Sequence, residues 1–429
     1  MEDVLFNCVI GIDVHMASLV CCAVLTDADN KLHTEKVTFG TFKNQKKAMA
    51  AWCKQHRPDL VIMESTGIYW KSPYAFLEKV GIFAAVVNAR QIKQMEGKKT
   101  DMGDAEWLAH VGRLGCFNRS FIPTAIYRLL RNVARYHLKL TDELSAEKNR
   151  LHKLLADPGY RLSLVFSDLH GTNASICVDG ILDGKSVDAM MSEIDVKRLK
   201  ASYEEIRDEL DGDLPEETRY VLCQIRDHID FLQKKIDELL AYVANKIREL
   251  NPQALELLQT IPGVSEASAV KILIELGGED MTPFKTAEHL ASWLGVCPGN
   301  NESAGKRKHG RTRKGNYYLR RVLCECANAA ARTKGTTLKS KYRSLSIRRG
   351  HKRSIIAIVH KMIKIIFFVL KNKVGYRDPE IDYEKESAQK NARRWVSILC
   401  SLPEWQVSAQ NLRSGETFAS AEESSAATA

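Results

Sequence analysis

The sequence predicts an α/β domain, then two long amphipathic helices, then a mostly helical and basic C-terminal region. Strand-like and helix-like segments alternate in the first part of the chain, and apolar residues then recur at heptad spacing in two stretches. Lys and Arg concentrate further along the chain. With 429 residues, 45% of them hydrophobic and 27% charged, the chain is long enough for two or three globular domains.

The first region contains segments of two alternating kinds. FNCVIGIDV, LVCCAVL and KLHTEKVTFG predict three β-strands, and the first two are separated by a tight turn. A predicted helix, NQKKAMAAWCKQH, precedes the strand LVIM, and a helix near YAFLEKV precedes the strand FAAVV. A third helix is predicted to begin at Asp101. This alternation indicates a sheet covered by helices.

Heptad spacing replaces this alternation from Ile126 to Leu155 and returns further along the chain. The pattern predicts two long helices, which form either an antiparallel coiled coil or part of an ordinary helical bundle. Glu147 is a polar exception in the first seam. The two predicted seams are Leu130, Val133, His137, Leu140, Leu144, Leu151 and Leu154, and Ile229, Leu232, Ile236, Leu239, Val243 and Leu250.

These patterns divide the chain into four predicted parts. Residues 1–122 form the α/β domain, and residues 123–250 form the coiled-coil region, with a mixed insert between the seams. Residues 251–375 form the C-terminal domain. Residues 376–429, with the Ser-rich end ETFASAEESSAATA, are expected to be a weakly ordered tail.

The charge distribution predicts a polyanionic partner. The net charge is +10, and the segment from Ser303 to Arg353 holds seventeen Lys or Arg residues against one acid, Glu325. The eleven cysteines lack paired zinc-site spacing, and we expect buried thiols. The apolar run SIIAIVHKMIKIIFFVLK is interrupted by His360, Lys361 and Lys364, which favours a core helix over a membrane span. With no targeting segment, a cytoplasmic protein is expected.

Four acids are candidates for a metal site. Asp13 and Glu64 each come at the end of a predicted strand, and Asp101 and Asp104 lie on the first turn of a predicted helix. Ligands of α/β sheets gather outside the carboxyl ends of strands, so these carboxylates could converge there. Mg²⁺ would allow them to stay ionised together, because it prefers carboxylate oxygens. The alternative is ordinary capping, with Asp101 as the N-cap and Asp104 in a capping box.

The third region contains a predicted helix–turn–helix, LLQTIPGVSEASAVKILIELG. Its turn at Gly263 could bring backbone N–H groups close to a phosphate, as in a helix-hairpin-helix DNA-binding element. An ordinary αα-corner is the alternative.

A serine lies in a basic loop within LGVCPGNNESAGKRKHGRTRKGNYYLRRVL. The Ser303 hydroxyl could attack a phosphodiester, with cationic side chains stabilising the charge on phosphorus. Alternatively, the loop only contacts a nucleic-acid backbone. Its cations are Lys306, Arg307, Lys308, Arg311, Arg313 and Lys314.

The segments GIDVH, MESTG, KTDMGDAEWLA, IPGV and LGVCPGNNESAGK together resemble the IS110-family transposases, in the family's order and over residues 5–372. The resemblance implies an N-terminal RuvC-like (RNase H-like) domain with a DEDD carboxylate set. It also implies a coiled coil and a C-terminal transposase domain.

The DEDD set of that family corresponds to Asp13, Glu64, Asp101 and Asp104, and its catalytic serine corresponds to Ser303. The resemblance implies that the carboxylates hold Mg²⁺ and that the serine forms a covalent link to DNA during excision and insertion of the mobile element. It further implies a bridge RNA that pairs with donor and target DNA. A homo-oligomer, a dimer or tetramer through the coiled coil, is expected. A RuvC-like Mg²⁺-dependent endonuclease and a non-enzymatic nucleic-acid-binding scaffold remain alternatives.

Overall fold

The computed structural model of the chain describes residues 5–27, 31–65, 67–89, 92, 102–195, 199, 201–298, 301–303, 306–309, 312–402, 409–410 and 417–418. The chain divides into two compact units, Met1–Ala125 and Ile126–Ala429.

The N-terminal unit is built on a five-stranded sheet with the order β3-β2-β1-β4-β5. Strands β1, β2 and β3 pair antiparallel, whereas β4 and β5 run parallel to β1. All five strands were predicted from the sequence. Their bounds are Cys8–Val14, Ser18–Thr26, Leu32–Gly40, Leu60–Glu64 and Ala84–Val87.

Helices cover both faces of this sheet. Helices α1 (Lys43–Gln55) and α2 (Lys71–Lys79) pack on the face formed by residues such as Ile12 and Met63. Helix α3 (Asp104–Arg113) packs on the opposite face. The mixed sheet and its helical layers confirm the predicted α/β class of this domain.

Two long antiparallel helices begin the second unit. They are α4 (Ala125–Ala156) and α8 (Glu216–Leu250). Glu147 Oε1 of α4 lies 3.5 Å from His228 Nδ1 of α8, which accounts for the polar exception in the first seam. Leu250, predicted in the second seam, is instead 43% exposed because it is the last residue of α8. The two helices share one core, and a coiled coil stays a prediction.

Three short helices fill the predicted mixed insert. They are α5 (Thr172–Asp183), α6 (Val187–Glu193) and α7 (Tyr203–Leu210). Their apolar side chains, among them Cys177, Met190 and Ile206, join the core between α4 and α8. The insert is therefore a small helical subdomain at one end of the two long helices.

The rest of the unit is mostly helical, as predicted. In the described parts of the chain, no helix combines the length and apolar character needed to cross a membrane. The apolar run predicted as a core helix forms the buried second half of α13, with Ile358, Met362 and Ile366 fully buried. The helices are α9 (Pro252–Gln259), α10 (Glu266–Leu276), α11 (Ala287–Leu294), α12 (Tyr317–Arg332), α13 (Thr337–Asn372) and α14 (Tyr383–Cys400).

The first part of the predicted tail contains α14 and forms hydrogen bonds with the start of α13. Asp378 accepts hydrogen bonds from the backbone N–H of Thr337, at 3.1 and 3.2 Å, and from its hydroxyl. Asp382 accepts from Ser340 Oγ at 3.0 Å and caps α14. These contacts with the start of α13 fix residues that composition alone predicts to be flexible.

Candidate functional site

Asp13 and Glu64 lie at the carboxyl ends of neighbouring parallel strands. Ile12 of β1 pairs with Met63 of β4, so the next residues along the two strands are Asp13 and Glu64. Side chains alternate between the two faces of a strand, and both acids fall on the face that packs against α3. The sequence therefore folds these two acids to one edge and one face of the sheet.

The start of α3 is directed to the same edge. A Cβ atom built on Gly11 would lie 1.9 Å from the carbonyl oxygen of Ala105, so α3 rests directly on the β1 backbone. Gly112, near the other end of α3, lies over Val9. The helix therefore runs antiparallel to β1, and its first residue, Asp104, points toward the strand ends that carry Asp13 and Glu64.

The geometry of the α3 start excludes the predicted capping box. The helix begins at Asp104, and its N-cap is Gly103, which has no side chain with which to cap the helix. Asp104 is exposed at the first helical position, where the positive end of the helix dipole favours a carboxylate. Helix α3 thus begins three residues later than predicted, and its buried face includes Ala105, Leu108 and Ala109. Asp101 lies outside the described residues.

Two further side chains surround this acidic edge. His15 Nε2 lies 2.9 Å from Asp13 Oδ2, and the Asp13 side chain is 22% exposed. Lys36 of β3 pairs with Glu106 of α3 at 2.6 Å and ties the first turn of the helix to the sheet. His15 belongs to the segment GIDVH but was not among the predicted site residues. In the sequence, the indication was its position two residues after Asp13, directly after the predicted strand.

The acids do not form a preassembled ligand cluster in the described part of the chain, where no group of three or more His, Cys, Asp or Glu side chains lies close enough to hold a metal ion. The fourth predicted ligand, Asp101, is not among those residues. The fold thus brings Asp13, Glu64 and the start of α3 to one edge, and their role as metal ligands stays a prediction.

The predicted helix–turn–helix is formed by α9 and α10. Gly263 in its turn has φ +83°, and a Cβ there would lie 2.4 Å from the carbonyl oxygen of Cys326 in α12. Packing against α12 thus already requires glycine at this position. Ser265 caps α10 by accepting from the Ser268 N–H at 3.4 Å. Phosphate binding at Gly263 stays a prediction.

The serine loop is a two-stranded hairpin. Strands β6 (Asn301–Ser303) and β7 (Lys306–His309) pair antiparallel, and Ser303 is the partner of Lys306. Ser303 is therefore the last residue of the first strand. The structure describes the backbone of these strands, and Arg311 lies outside the described residues. Arg313 and Lys314, which follow the hairpin, are exposed.

Two glycines anchor the base of this hairpin. A Cβ on Gly315 would lie 2.3 Å from the carbonyl oxygen of Leu294, at the end of α11. Gly295 has φ +80°, and its Cβ would lie 2.7 Å from the carbonyl oxygen of Arg313. The chain entering the hairpin therefore touches the chain leaving it, and larger residues at either glycine would force them apart.

A buried carboxylate ties the end of the hairpin segment to α4. Glu275 of α10 is 3% exposed and accepts two hydrogen bonds from Arg135, each 2.8 Å, and a third from Asn316 Nδ2 at 2.8 Å. Burial alone would raise the pKa of Glu275, but the hydrogen bonds and charge of Arg135 outweigh it and hold that pKa below its usual value. Asn316 is the N-cap of α12. In the sequence, the only indication of this buried carboxylate was an acidic residue inside the apolar run KILIELG.

Comparison with known proteins gives matches to two family models. Residues 10–157 match a DEDD transposase model of the IS110 family, and residues 255–343 match the model described as transposase of the IS116/IS110/IS902 family. The first match spans Asp13, Glu64, Asp101 and Asp104, and the second spans Ser303.

Individual relatives carry related names. A probable family 20 transposase of Pseudomonas aeruginosa is 22% identical over 331 residues, which cover 76% of this chain and 87% of the relative. A pilin gene-inverting protein of Moraxella bovis is 28% identical over 141 residues, or 32% of this chain and 42% of the relative. The structure of Thermus thermophilus RuvC aligns with 26% of this chain and 99% of its own, at 13% identity and a TM-score of 0.21.

Proposed function

Because this chain belongs to the IS110 family of DNA transposases, we propose that it excises and inserts its element by breaking and rejoining DNA, with Ser303 as nucleophile. Asp13, Glu64, Asp101 and Asp104 are the proposed metal ligands. The observation that carries this proposal is the placement of Asp13, Glu64 and the start of α3 at one edge and face of the sheet.

The donor chemistry of this edge fits a hard divalent cation. The DEDD family model points to a divalent metal, and carboxylate oxygens are the ligands that Mg²⁺ prefers. Bound there, Mg²⁺ would supply the positive charge that polarises phosphodiester oxygens. Asp13 and Glu64 would hold it from the strand ends, and Asp104 would hold it from the α3 start.

The proposed exchange step conserves the number of phosphodiester bonds. Ser303 Oγ forms a bond to phosphorus, the P–O bond to one deoxyribose breaks, and the leaving hydroxyl takes the proton. A hydroxyl of the incoming strand then attacks the same phosphorus, takes the place of Ser303 and restores the serine. The location of Ser303 at the end of β6, paired with Lys306, and the cations that follow in the sequence support this role.

The names of relatives favour rejoining over hydrolysis. The Moraxella bovis relative is a gene-inverting protein, and inversion of a DNA segment requires that the cut ends be joined again. A RuvC-like endonuclease that uses water as nucleophile would leave ends unjoined. This relative therefore supports the recombinase over the nuclease.

The proposal also includes a guide RNA as a partner and self-association of the protein. The net charge of +10 fits an RNA partner that pairs with donor and target DNA. Exposed apolar side chains on the two long helices support a dimer or tetramer through α4 and α8. They include Leu129 (63% exposed), Tyr136 (54%), Phe231 (55%) and Tyr242 (51%).

The proposal is tested in bacterial cells with the coding sequence on a plasmid together with its native flanking DNA. Sequencing of DNA junctions measures excision and insertion, and sequencing of RNA that copurifies with the protein identifies any guide. Ser303→Ala and Asp13→Asn should each abolish joined junctions, whereas the exposed-surface control Glu204→Gln should keep them. Joined junctions at the wild-type level from Ser303→Ala would exclude the serine mechanism. Copurified RNA without any transcript of the flanking DNA would exclude the element-encoded guide.

A further inference from the structure

Helix α13 contains a sharp corner at Gly350. This residue has φ 71° and ψ 168°, which is not helical, and it separates the first half of α13 from the buried second half. Such a combination is essentially restricted to glycine. No atom lies within 4 Å of a Cβ built on Gly350, so the glycine serves the backbone conformation and not a close packing contact.

Side chains on both sides hold the corner in place. Tyr342 Oη and His351 Nδ1 form a hydrogen bond of 2.8 Å across it, and their rings meet edge to face. Ser354, which is fully buried, donates from Oγ to the Gly350 carbonyl at 2.8 Å. The corner is therefore a defined feature of the fold.

The corner carries a dense and unneutralised positive charge. Residues 343–353, RSLSIRRGHKR, contain five Lys or Arg residues and no Asp or Glu. Arg343 approaches Glu384 at 3.8 Å. For the other four cations, the described residues supply no carboxylate partner within salt-bridge distance. These four are Arg348, Arg349, Lys352 and Arg353, and all are exposed.

An exposed apolar residue adjoins these cations in the sequence. Ile347 is 84% exposed, more than any other large hydrophobic residue in the described part of the chain. It immediately precedes Arg348 in the last turn before the corner. Exposure of an isoleucine to water is unfavourable, and here the surrounding charges exclude a purely apolar partner. A partner for this surface must therefore offer both phosphates and an apolar interior.

We propose that the Gly350 corner binds duplex DNA, with Arg348, Arg349, Lys352 and Arg353 on the phosphates and Ile347 inserted between base pairs. Apolar wedges flanked by cations enter the minor groove of DNA in this way and kink it. RNA helices present a wide and shallow minor groove recognised by shape, which makes RNA the weaker candidate. The inference rests on DNA as the substrate, not on Ser303 or a guide RNA, and residues 344–353 lie beyond the family match.

The phosphate contacts are tested by the salt dependence of binding. The full chain is titrated with a 40-base-pair duplex rich in TA steps, at several salt concentrations. Replacing Arg348, Arg349 and Lys352 together by Gln should reduce the slope of log affinity against log salt by about 2.7, because each lost phosphate contact contributes about 0.9. A control triple variant changes the exposed Lys43, Lys47 and Lys54 of α1 to Gln and removes the same charge.

Insertion of Ile347 between base pairs is tested by the fluorescence of 2-aminopurine placed at the TA steps of the same duplex. Wild-type protein should raise its fluorescence as bases unstack. Ile347→Ser should lose that rise while keeping the salt slope, and Ile347→Leu should restore it. Thermal unfolding confirms that each variant is folded, which is expected because all four substituted residues are exposed.

Three results would overturn the inference. The first is an equal salt slope for the corner triple variant and the α1 control. The second is a loss of affinity for an RNA duplex that exceeds the loss for DNA, which would make the corner an RNA site. The third is an Ile347→Ser protein that unstacks bases normally but no longer self-associates in sedimentation, which would assign Ile347 to a protein interface. These results do not depend on DNA cleavage, so they are distinct from failure of the proposed serine mechanism.

Discussion

The contact between β1 and α3 positions Asp104, and it can be broken with one methyl group. Gly11 lies under the first turn of α3, where its Cβ would meet the Ala105 carbonyl oxygen at 1.9 Å and the Ala109 nitrogen at 2.7 Å. Both are backbone atoms, so no side chain can rotate away. In Gly11→Ala, the start of α3 must move off the sheet.

The size of this displacement follows from the same distances. An ordinary contact begins at 3.4 Å, so the helix backbone must retreat by about 1.5 Å from its present 1.9 Å. Overpacking of this kind costs about 1–3 kcal/mol of folding free energy. A misplacement of about 1 Å in a reacting group lowers the rate on the order of 100-fold. We therefore expect Gly11→Ala to lose about two orders of magnitude in DNA excision while most of the protein stays folded.

Excision junctions quantified from the plasmid assay, together with thermal unfolding of the purified protein, measure both effects. Gly103→Ala is the matched control, because Gly103 neighbours Asp104 and its Cβ would meet no atom within 4 Å. Because alanine is a poorer N-cap residue than glycine, this change should cost about 1 kcal/mol of folding free energy, but it should leave excision intact. Wild-type excision by Gly11→Ala, with an unfolding temperature lowered as expected, would show that the α3 start is not part of the site.

Two further predictions concern the buried polar groups of the second unit. Burial lowers the pKa of His137 to about 4 from 6.5, so below pH 6.5 the unfolded chain binds a proton at this residue more readily than the folded chain does. About 2 kcal/mol of the free energy of unfolding should therefore be lost between pH 7 and pH 5. His137→Leu should remove this loss in urea unfolding, and equal pH dependence in both proteins would contradict the prediction. Glu275→Ala leaves Arg135 without its buried partner and should lower the free energy of unfolding by about 3–5 kcal/mol. The surface control Glu249→Ala should change it by less than about 0.5 kcal/mol in the same experiment, and similar losses in both variants would refute the buried ion pair.

Local patterns in the sequence were sufficient to predict most of the helices and strands. The apolar segments FNCVIGIDV and LVIM identified β1 and β4, and the position of Asp13 and Glu64 at the ends of these segments correctly predicted that both acids lie at strand ends. Heptad spacing identified α4 and α8 for the same reason, since a repeating apolar face is visible within one segment.

Features that depend on distant contacts were missed. Glu275 and Arg135 are 140 residues apart, and no local pattern pairs them. The ordered segment before α14 depends on hydrogen bonds from Thr337 to Asp378, across 41 residues. The α3 start was predicted at Asp101 because capping preferences are local, whereas close packing of Ala105 on Gly11 is a tertiary contact.

The most direct test of the proposed chemistry is the capture of a covalent protein–DNA adduct. Cells carrying the coding sequence with its native flanks are lysed in denaturant, and the protein is isolated and probed for attached DNA on a denaturing gel. We predict an adduct from the wild-type protein that Ser303→Ala abolishes and Asp13→Asn strongly reduces. An adduct of unchanged yield from Ser303→Ala, or rejoined DNA junctions that form with no adduct at all, would contradict the account.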